Sequence, residues 1–429
     1  MKTGRLLVAS ILLGSFSPLL AATYNITDLG TLGGSQSAAY GINASGQVVG
    51  SAYLTGNTAN AGTLFSTSGN IEIGNFGGIN VNEARGINSS GAVVGINALP
   101  GDTSTHAFIY LGGATVNLGT LGGTSSRAYA INDSGQITGE SQITGDTAVH
   151  AYRYKNGAFT DLGGTTATGF AINAAGHVVG RSNFKAFIAT GNTVVNISGI
   201  GTGNMHTAYG INDNDQVVGT SNIASGSGTF HAFLYQSGSA ADIGSLVVGN
   251  NATAYAINNS SVIVGTSNLT PGGVTYHAFI YQGGQITDLN SLIPANTGWV
   301  LETAYAINAS GLIAGSGTLN GVKRAFLLTS TDLDPGNETQ PPRIYVNGAK
   351  RLSTTRAKLK LTGSSGGNVN EVRYRLNGRG AYRSTHGDVS GWKITVALKP
   401  GKNLFQVIAV SSAGVKSLPA KVIITRTDG

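Results

Sequence analysis

Short apolar runs separated by turn residues recur along the chain from Thr23 onward, always in one order. An Ala-Tyr-Ala-Ile type segment is followed by Val-Val-Gly, then by His-Ala-Phe-Ile-Tyr, then by Asp-Leu-Gly, so each unit predicts four short strands. The Ile-Asn pair that ends the first segment stands at Ile42-Asn43, Ile87-Asn88, Ile131-Asn132, Ile172-Asn173, Ile211-Asn212, Ile257-Asn258 and Ile307-Asn308, with spacings of 45, 44, 41, 39, 46 and 50. Every copy carries a glycine seven residues after its asparagine: Gly50, Gly95, Gly139, Gly180, Gly219, Gly265 and Gly315. Self-similarity at this period is the signature of a repeat architecture.

The asparagine has a mechanical role. Segments such as Asn43-Ala44-Ser45-Gly46 and Asn132-Asp133-Ser134-Gly135 suit a type I turn whose side chain bonds the backbone two residues on, closed by a glycine at positive φ. Asp215 and Ser261 replace that glycine in two copies. The same turns match an Asn-x-Ser glycosylation pattern five times, which turn chemistry already explains.

In the strand before each turn, small residues occupy one alternation: Ala39 and Gly41, Ala84 and Gly86, Ala128 and Ala130, and their counterparts. The other carries Ile and an aromatic, namely Tyr40, Tyr129, Phe170, Tyr209, Tyr255 and Tyr305, with Arg85 as the exception. Alternation assigns these sets to opposite faces. Sheets with a bulky and a bare face stack on one another, large into small, and repetition about an axis predicts an all-β, seven-bladed β-propeller with this strand innermost. The Asp-Leu-Gly segment first appears at Asp28, ahead of the first Ile-Asn pair, and no copy follows Ala325-Phe326-Leu327. A strand at residues 26–30 is therefore expected to complete the seventh blade and hide two sheet edges. A linear β-solenoid is the competing arrangement, disfavoured by the variable spacing.

Units with Ala-Tyr-x-Ile-Asn-x-x-Gly, Val-Val-Gly, and His106-Ala107-Phe108, His231-Ala232-Phe233 or His277-Ala278-Phe279 resemble the HAF family of extracellular repeats found in exported bacterial proteins. The resemblance covers about residues 24–330 and implies export but no particular activity. Thr63-Leu64-Phe65, Lys185-Ala186-Phe187 and Arg324-Ala325-Phe326 lack the histidine, which argues against a metal or catalytic role for it.

Composition adds export and a division. With 65 glycines, no cysteine and 10% charged residues among 429, disulfide scaffolds and highly charged disordered chains are excluded. Lys2 and Arg5, an apolar stretch from Leu6 to Leu13, and Ala21-Ala22 read as a secretory leader over residues 1–22. No lipid anchor or spanning helix is expected, and the product should be secreted, outside the cell or in the periplasm. Residues 23–335 hold 8 Lys/Arg against 15 Asp/Glu, whereas residues 336–429 hold 16 against 4. A mildly acidic propeller (23–330) is thus followed by a linker (331–342) and a strongly basic module (343–429). Its alternating segments, Trp392 and the turn at 398–403 are similar to a bacterial immunoglobulin-like β-sandwich. Lys358, Lys360, Arg373 and Arg375 alternate with apolar residues, so they are expected on solvent faces, where they keep the module soluble or bind an envelope polyanion. Tyr374 and Tyr382 make a poor base-stacking platform, so no specific nucleic acid is expected.

Catalytic motifs are scarce. Gly363-Ser364-Ser365-Gly366-Gly367 has the letters of a nucleophile elbow but is expected in a sandwich loop with no helix after it. Asp213-Asn214-Asp215 lacks the downstream glutamate of a calcium loop, and residues 199–203 read as a flexible glycine loop. No metal, cofactor or catalytic residue is expected, and the chain should be monomeric. Two functions remain. The first is a non-enzymatic binding or adhesion protein of the envelope or matrix, taking a glycan on propeller loops. The alternative is a polysaccharide hydrolase or lyase, which would require two of Glu72, Glu83, Asp102, Glu140, Asp146 and Glu302 to converge. Tight turns occupy one face of the ring. The longer, varied connections at 78–84, 100–105, 122–127, 199–207 and 294–302 occupy the other, where Arg85, Arg127, His206 and Trp299 are the candidate ligand contacts.

Overall fold

The computed structural model describes residues 24–66, 69–331, 343–346, 351–355, 357–366, 371–377, 383–384, 393–410 and 420–427. The expected leader, residues 332–342 of the linker, Tyr382 and Trp392 lie outside the described residues. Those that are described form an all-β protein without α-helix, built mostly from small antiparallel sheets.

Seven four-stranded sheets occupy residues 24–330. Six are formed by four strands consecutive in sequence, and in the seventh Tyr24–Asp28 pairs with Val322–Ser330, setting Asp28 opposite Phe326. The first strands, Gly33–Ile42, Asn82–Ile87, Gly122–Ile131, Ala167–Ile172, His206–Ile211, Ala252–Ile257 and Trp299–Ile307, pack each against the next, and the last against the first. Seven separate apolar clusters fill the spaces between consecutive sheets. One of them joins Ala314 and Ala325 of the seventh sheet to Ala39, Val48 and Phe65 of the first. Each interface has its own core, because a four-stranded sheet can hide its apolar faces only against neighbours.

The asparagines do more than shape turns. Asn132 Oδ1 accepts from Ser134 N at 3.1 Å and Gln136 N at 2.9 Å, as the turn chemistry predicts. Its Nδ2 also donates to the carbonyl of Asn173 in the next unit at 2.9 Å. All seven asparagines do so, at 2.9–3.2 Å, and the circuit returns from Asn308 to the carbonyl of Asn43. They are only 3–7% exposed, so these amides are not available for glycosylation.

The glycine seven residues beyond each asparagine answers to a β-bulge. Every first strand shifts register between the two small residues, as between Ala84 and Gly86, leaving the residue between them as the extra one. The bulge pushes a carbonyl toward the second strand, where a Cβ on Gly95 would collide with Glu83 O and one on Gly139 with Arg127 O. The buried aromatic of the third strand, such as Phe108 or Tyr152, closes over the same glycine.

In the first unit the sequence alignment needs correction. Thr63, not Phe65, faces the glycine of the second strand, so Ala61-Gly62-Thr63 occupies the His-Ala-Phe position. A slip of two residues leaves every side chain on the same face, and alternation cannot detect it.

Beyond residue 342, Arg343–Val346, Lys358–Gly366 and Lys393–Ala397 form a three-stranded sheet, and Arg351–Thr354, Ala420–Arg426, Gly401–Val410, Glu371–Leu376 and Arg383–Ser384 a five-stranded one. Leu361, Ile394 and Val396 of the first meet Val372, Phe405, Val407 and Ile424 of the second in one core. Residues 363–366, expected in a loop, are strand and pair with Arg343–Val346.

Candidate functional site

The bulges decide where the large residues of the first strands point. Alternation predicts that the aromatics pack into bare faces of neighbouring sheets, but they meet one another instead. Ring centroids lie 5.4 Å apart for Tyr129 and Phe170, 5.0 Å for Phe170 and Tyr209, 5.2 Å for Tyr209 and Tyr255, 5.1 Å for Tyr255 and Tyr305, and 5.4 Å for Tyr305 and Tyr40. Arg85 fills the seventh place, its guanidinium carbon 4.2 Å from the centre of the Tyr40 ring, a cation–π distance. All seven side chains are half-buried. They form one collar of six aromatics and a cation where the first strands converge.

Ionisable groups border this collar. Glu83 binds Arg85 through Nε at 2.8 Å and also through Nη2. Burial opposes the charge on Arg85, but Glu83 and Tyr40 outweigh it and hold the guanidinium above its ordinary value. Glu140 accepts from the Thr168 hydroxyl at 2.6 Å, the Tyr129 hydroxyl at 3.3 Å and Arg127 Nη1 at 3.4 Å. Burial, then Glu140, pushes Tyr129 up to about 12, and burial raises Tyr40, Tyr209 and Tyr255 as well. The phenols therefore present neutral hydroxyls at ordinary pH.

Of the four residues singled out from sequence, Arg85 and Arg127 come to this collar and His206 and Trp299 do not. Trp299 lies edge-on to Phe326, 6.1 Å between centroids, and packs on the cluster between the sixth and seventh sheets. His206 is 6% exposed and pairs through Nδ1 with Ser221 Oγ at 3.0 Å. Burial, then nearby Lys185, lowers its pKa. Sequence reasoning offered Glu83 and Glu140 only as hydrolytic acids, not as partners of Arg85 and Arg127, and it missed the collar itself. Its one signal was Arg85, since an arginine in an aromatic series is incompatible with a dry sheet-to-sheet contact.

The acids proposed for hydrolysis have separate occupations. Glu83 and Glu140 hold Arg85 and Arg127, and Glu302 pairs with Lys323. Asp102 caps the amide of Ile79 and Asp146 that of Thr124, each at 2.8 Å. Glu72 lies opposite Thr63 in a fourth strand. The repeat histidines are clamps between third and fourth strands: His150 pairs with Asp161 at 2.8 Å, His231 with Asp242 at 2.7 Å and His277 with Asp288 at 2.6 Å. Asp213 and Asp215 bind the Ala174 amide and His177 of the preceding unit. Among the described residues no group of three His, Cys, Asp or Glu side chains is arranged to hold a metal.

The four basic residues of the C-terminal module belong to different sheets. Lys358 and Lys360 lie in the three-stranded sheet and are exposed, whereas Arg373 and Arg375 lie in the five-stranded one. Arg373 Nε donates to Glu371 at 2.6 Å and Arg375 Nε to Gln406 at 2.8 Å. Each pair alternates with residues of the shared core, so the lysines and arginines face outward on opposite sides.

No protein-family model matches the chain, and no curated protein matches it. No helix among the described residues is long and apolar enough to cross a membrane. Among solved structures, a fungal alcohol oxidase of the AA5 family, in complex with copper, aligns over 94% of this chain and 99% of its own at 12% identity and a TM-score of 0.46. The extracellular domain of a hybrid two-component system from B. thetaiotaomicron aligns over 94% of this chain and 58% of its own, at 10% identity and a TM-score of 0.36. Fibronectin(III)-like modules of Clostridium thermocellum CbhA cover 20% of this chain and 96% of their own, at 17% identity and a TM-score of 0.17. Likenesses at this level establish no relationship and no shared activity.

Proposed function

We propose that the chain is an exported, non-enzymatic binding or adhesion protein of the bacterial envelope or matrix, whose axial collar takes a neutral sugar. In this reading residues 24–330 are a seven-bladed β-propeller of HAF-type units. The cyclic packing of the first strands and the asparagine circuit closing on Asn43 support it. Residues 343–427 are read as an immunoglobulin-like sandwich, with Lys358, Lys360, Arg373 and Arg375 holding an envelope polyanion from two sides. The leader composition of residues 1–22 supports export, and the protein acts as a monomer.

The collar is the observation that carries the binding function. Half-exposed aromatic rings offer apolar faces to the C–H groups of a pyranose, while neutral phenols and the Arg85–Glu83 and Arg127–Glu140 pairs offer donors and acceptors to its hydroxyls. Carboxylates neutralised by arginines favour an uncharged ligand over an anion. The test is calorimetric titration of the full chain with neutral oligosaccharides, repeated on Arg85→Met and Tyr209→Ser. Each substitution should weaken binding by about tenfold, the worth of one lost stack or charge-assisted bond, without abolishing cooperative melting. Unchanged affinity in both variants would refute the collar as the site.

A further inference from the structure

A cleft of about 450 Å³ lies away from the collar, lined by Lys185, Asn196, Ile197, Ser198, three glycines of the following loop and His206. We propose that this cleft is a second binding site, built for the single oxyanion of an acidic sugar such as a uronate.

The fourth unit departs from its siblings at the clamp between its third and fourth strands. Register places Lys185 where His106, His150, His231 and His277 stand, and Asn196 where Asp161, Asp242 and Asp288 stand. The imidazole–carboxylate pair of the third, fifth and sixth units, and the His106–Asn117 pair of the second, are therefore replaced by an ammonium facing a neutral amide. No carboxylate lines the cleft, and no ion pair is formed by Lys185 among the described residues. A half-buried ammonium without a counter-ion attracts one negative charge.

The loop over the cleft is pinned, contrary to the flexible loop expected from its glycines. Ile200 is buried and its amide donates to Ser221 Oγ at 3.1 Å, and Thr202 N donates to Ile223 O at 3.3 Å. Met205 N donates to Asn222 Oδ1 at 2.8 Å. Gly199 passes so close to His206 that a Cβ there would collide with the imidazole and with Ser221 Oγ. Ser221 thus ties the loop and His206 Nδ1 together, fixing the imidazole against the wall of the cleft. A ligand finds the polar groups already in place, which lowers the ordering cost of binding.

The sugar is indicated by Phe184. It forms a two-residue hairpin with Asn183 at φ +64°, where an aromatic is strained, and 58% of its surface is exposed. Its carbonyl accepts the His206 amide at 2.8 Å, so its backbone adjoins the cleft wall next to Lys185, and the guanidinium carbon of Arg181 lies 6.0 Å from its ring centre. An exposed ring with Arg181 beside it, one residue before the unpaired Lys185, suits a pyranose carrying a carboxylate.

The experiment is titration of the full chain with digalacturonate, with an uncharged galactose disaccharide and sodium sulfate as separate arms. Digalacturonate should bind, the uncharged disaccharide should not bind at this cleft, and Lys185→Met should weaken digalacturonate by about tenfold or more. Phe184→Gly, which relieves rather than adds strain at that φ, should weaken digalacturonate while leaving sulfate unaffected. The His206 imidazole, followed by NMR, should titrate at higher pH when digalacturonate is bound, because the oxyanion offsets Lys185. Arg85→Met and the double variant Arg373→Glu/Arg375→Glu should leave this binding intact, which separates it from the collar and the C-terminal module. Digalacturonate affinity that survives Lys185→Met, or falls with Arg85 or the module arginines instead, would overturn the site. Sulfate binding as tightly as digalacturonate, or an unshifted His206, would overturn the sugar-acid assignment.

Discussion

The two ends of the seven-sheet body solve different problems with similar residues. At one end, seven asparagine turns repeat the same hydrogen bonds and join each unit to the next. At the other, connections differ from unit to unit and are held by individual devices. Asn57, Asp102 and Asp146, each at positive φ, cap amides of Ser35, Ile79 and Thr124 at or just before the start of the same unit's first strand. The fourth unit has only the tight Asn183-Phe184 hairpin at that place. Uniform bonds are buried and shared between units, whereas varied ones are exposed and local. The first end can hold the ring together while the second is free to diversify, which is the usual division between scaffold and recognition loops.

Removal of the closing strand should cost most. Deletion of residues 24–31 strips Tyr24 and Ile26 from the cluster of the seventh sheet and bares the edge of Val322–Ser330. Loss of a single cooperative thermal transition, or aggregation on heating, is expected. A truncation that melts like the parent would show that the seam carries no weight.

Matched substitutions at the two ends sharpen the contrast. Asn132→Ala removes an amide that accepts from Ser134 and Gln136 and donates to Asn173 O in a buried site. Denaturant unfolding should register a loss of about 2–4 kcal/mol from stranded polar groups. Asp146→Ala removes an exposed cap, and the loss should be about 1 kcal/mol. Equal losses would mean that the ends are not mechanically distinct. The smallest effect belongs to the strand clamps. His150→Gln, which breaks a partly exposed pair with Asp161, should change stability by less than about 1 kcal/mol, because such pairs are screened. A larger change would give the repeat histidine a role beyond its own sheet.

Local features of the fold were readable in the chain, and those that depend on a change of register were not. Four-strand units, asparagine turns and the strand at Asp28 follow from short-range pattern, and Tyr24–Asp28 is found where a missing final strand requires it. The bulge at Arg85 and its six counterparts leaves residue spacing untouched while redirecting the side chain, so the aromatics were assigned to sheet packing. The slip at Thr63 is invisible for the same reason. Residues 199–203 were misread because glycine content signals freedom, whereas here Gly199 and Gly203 permit close approach to Ser221 and Asn222. At the site, Arg85, Arg127 and Glu140 are each legible in the sequence, while the pairing of Glu140 with Arg127 and with Thr168 of the next unit required the third dimension.

The seam between Tyr24–Asp28 and Val322–Ser330 also sets an order of events in time. The first segment of the body to be synthesised has no partner until the last has been made, about 300 residues later, so the contact with the greatest loop-closure penalty forms last. A growing chain can stack six sheets one on another, yet the circuit stays open while Ser37 and Asn43 wait for Ala325 and Asn308. Premature closure is ruled out by connectivity alone. A chain of this design therefore keeps its width open to change until its synthesis is nearly complete.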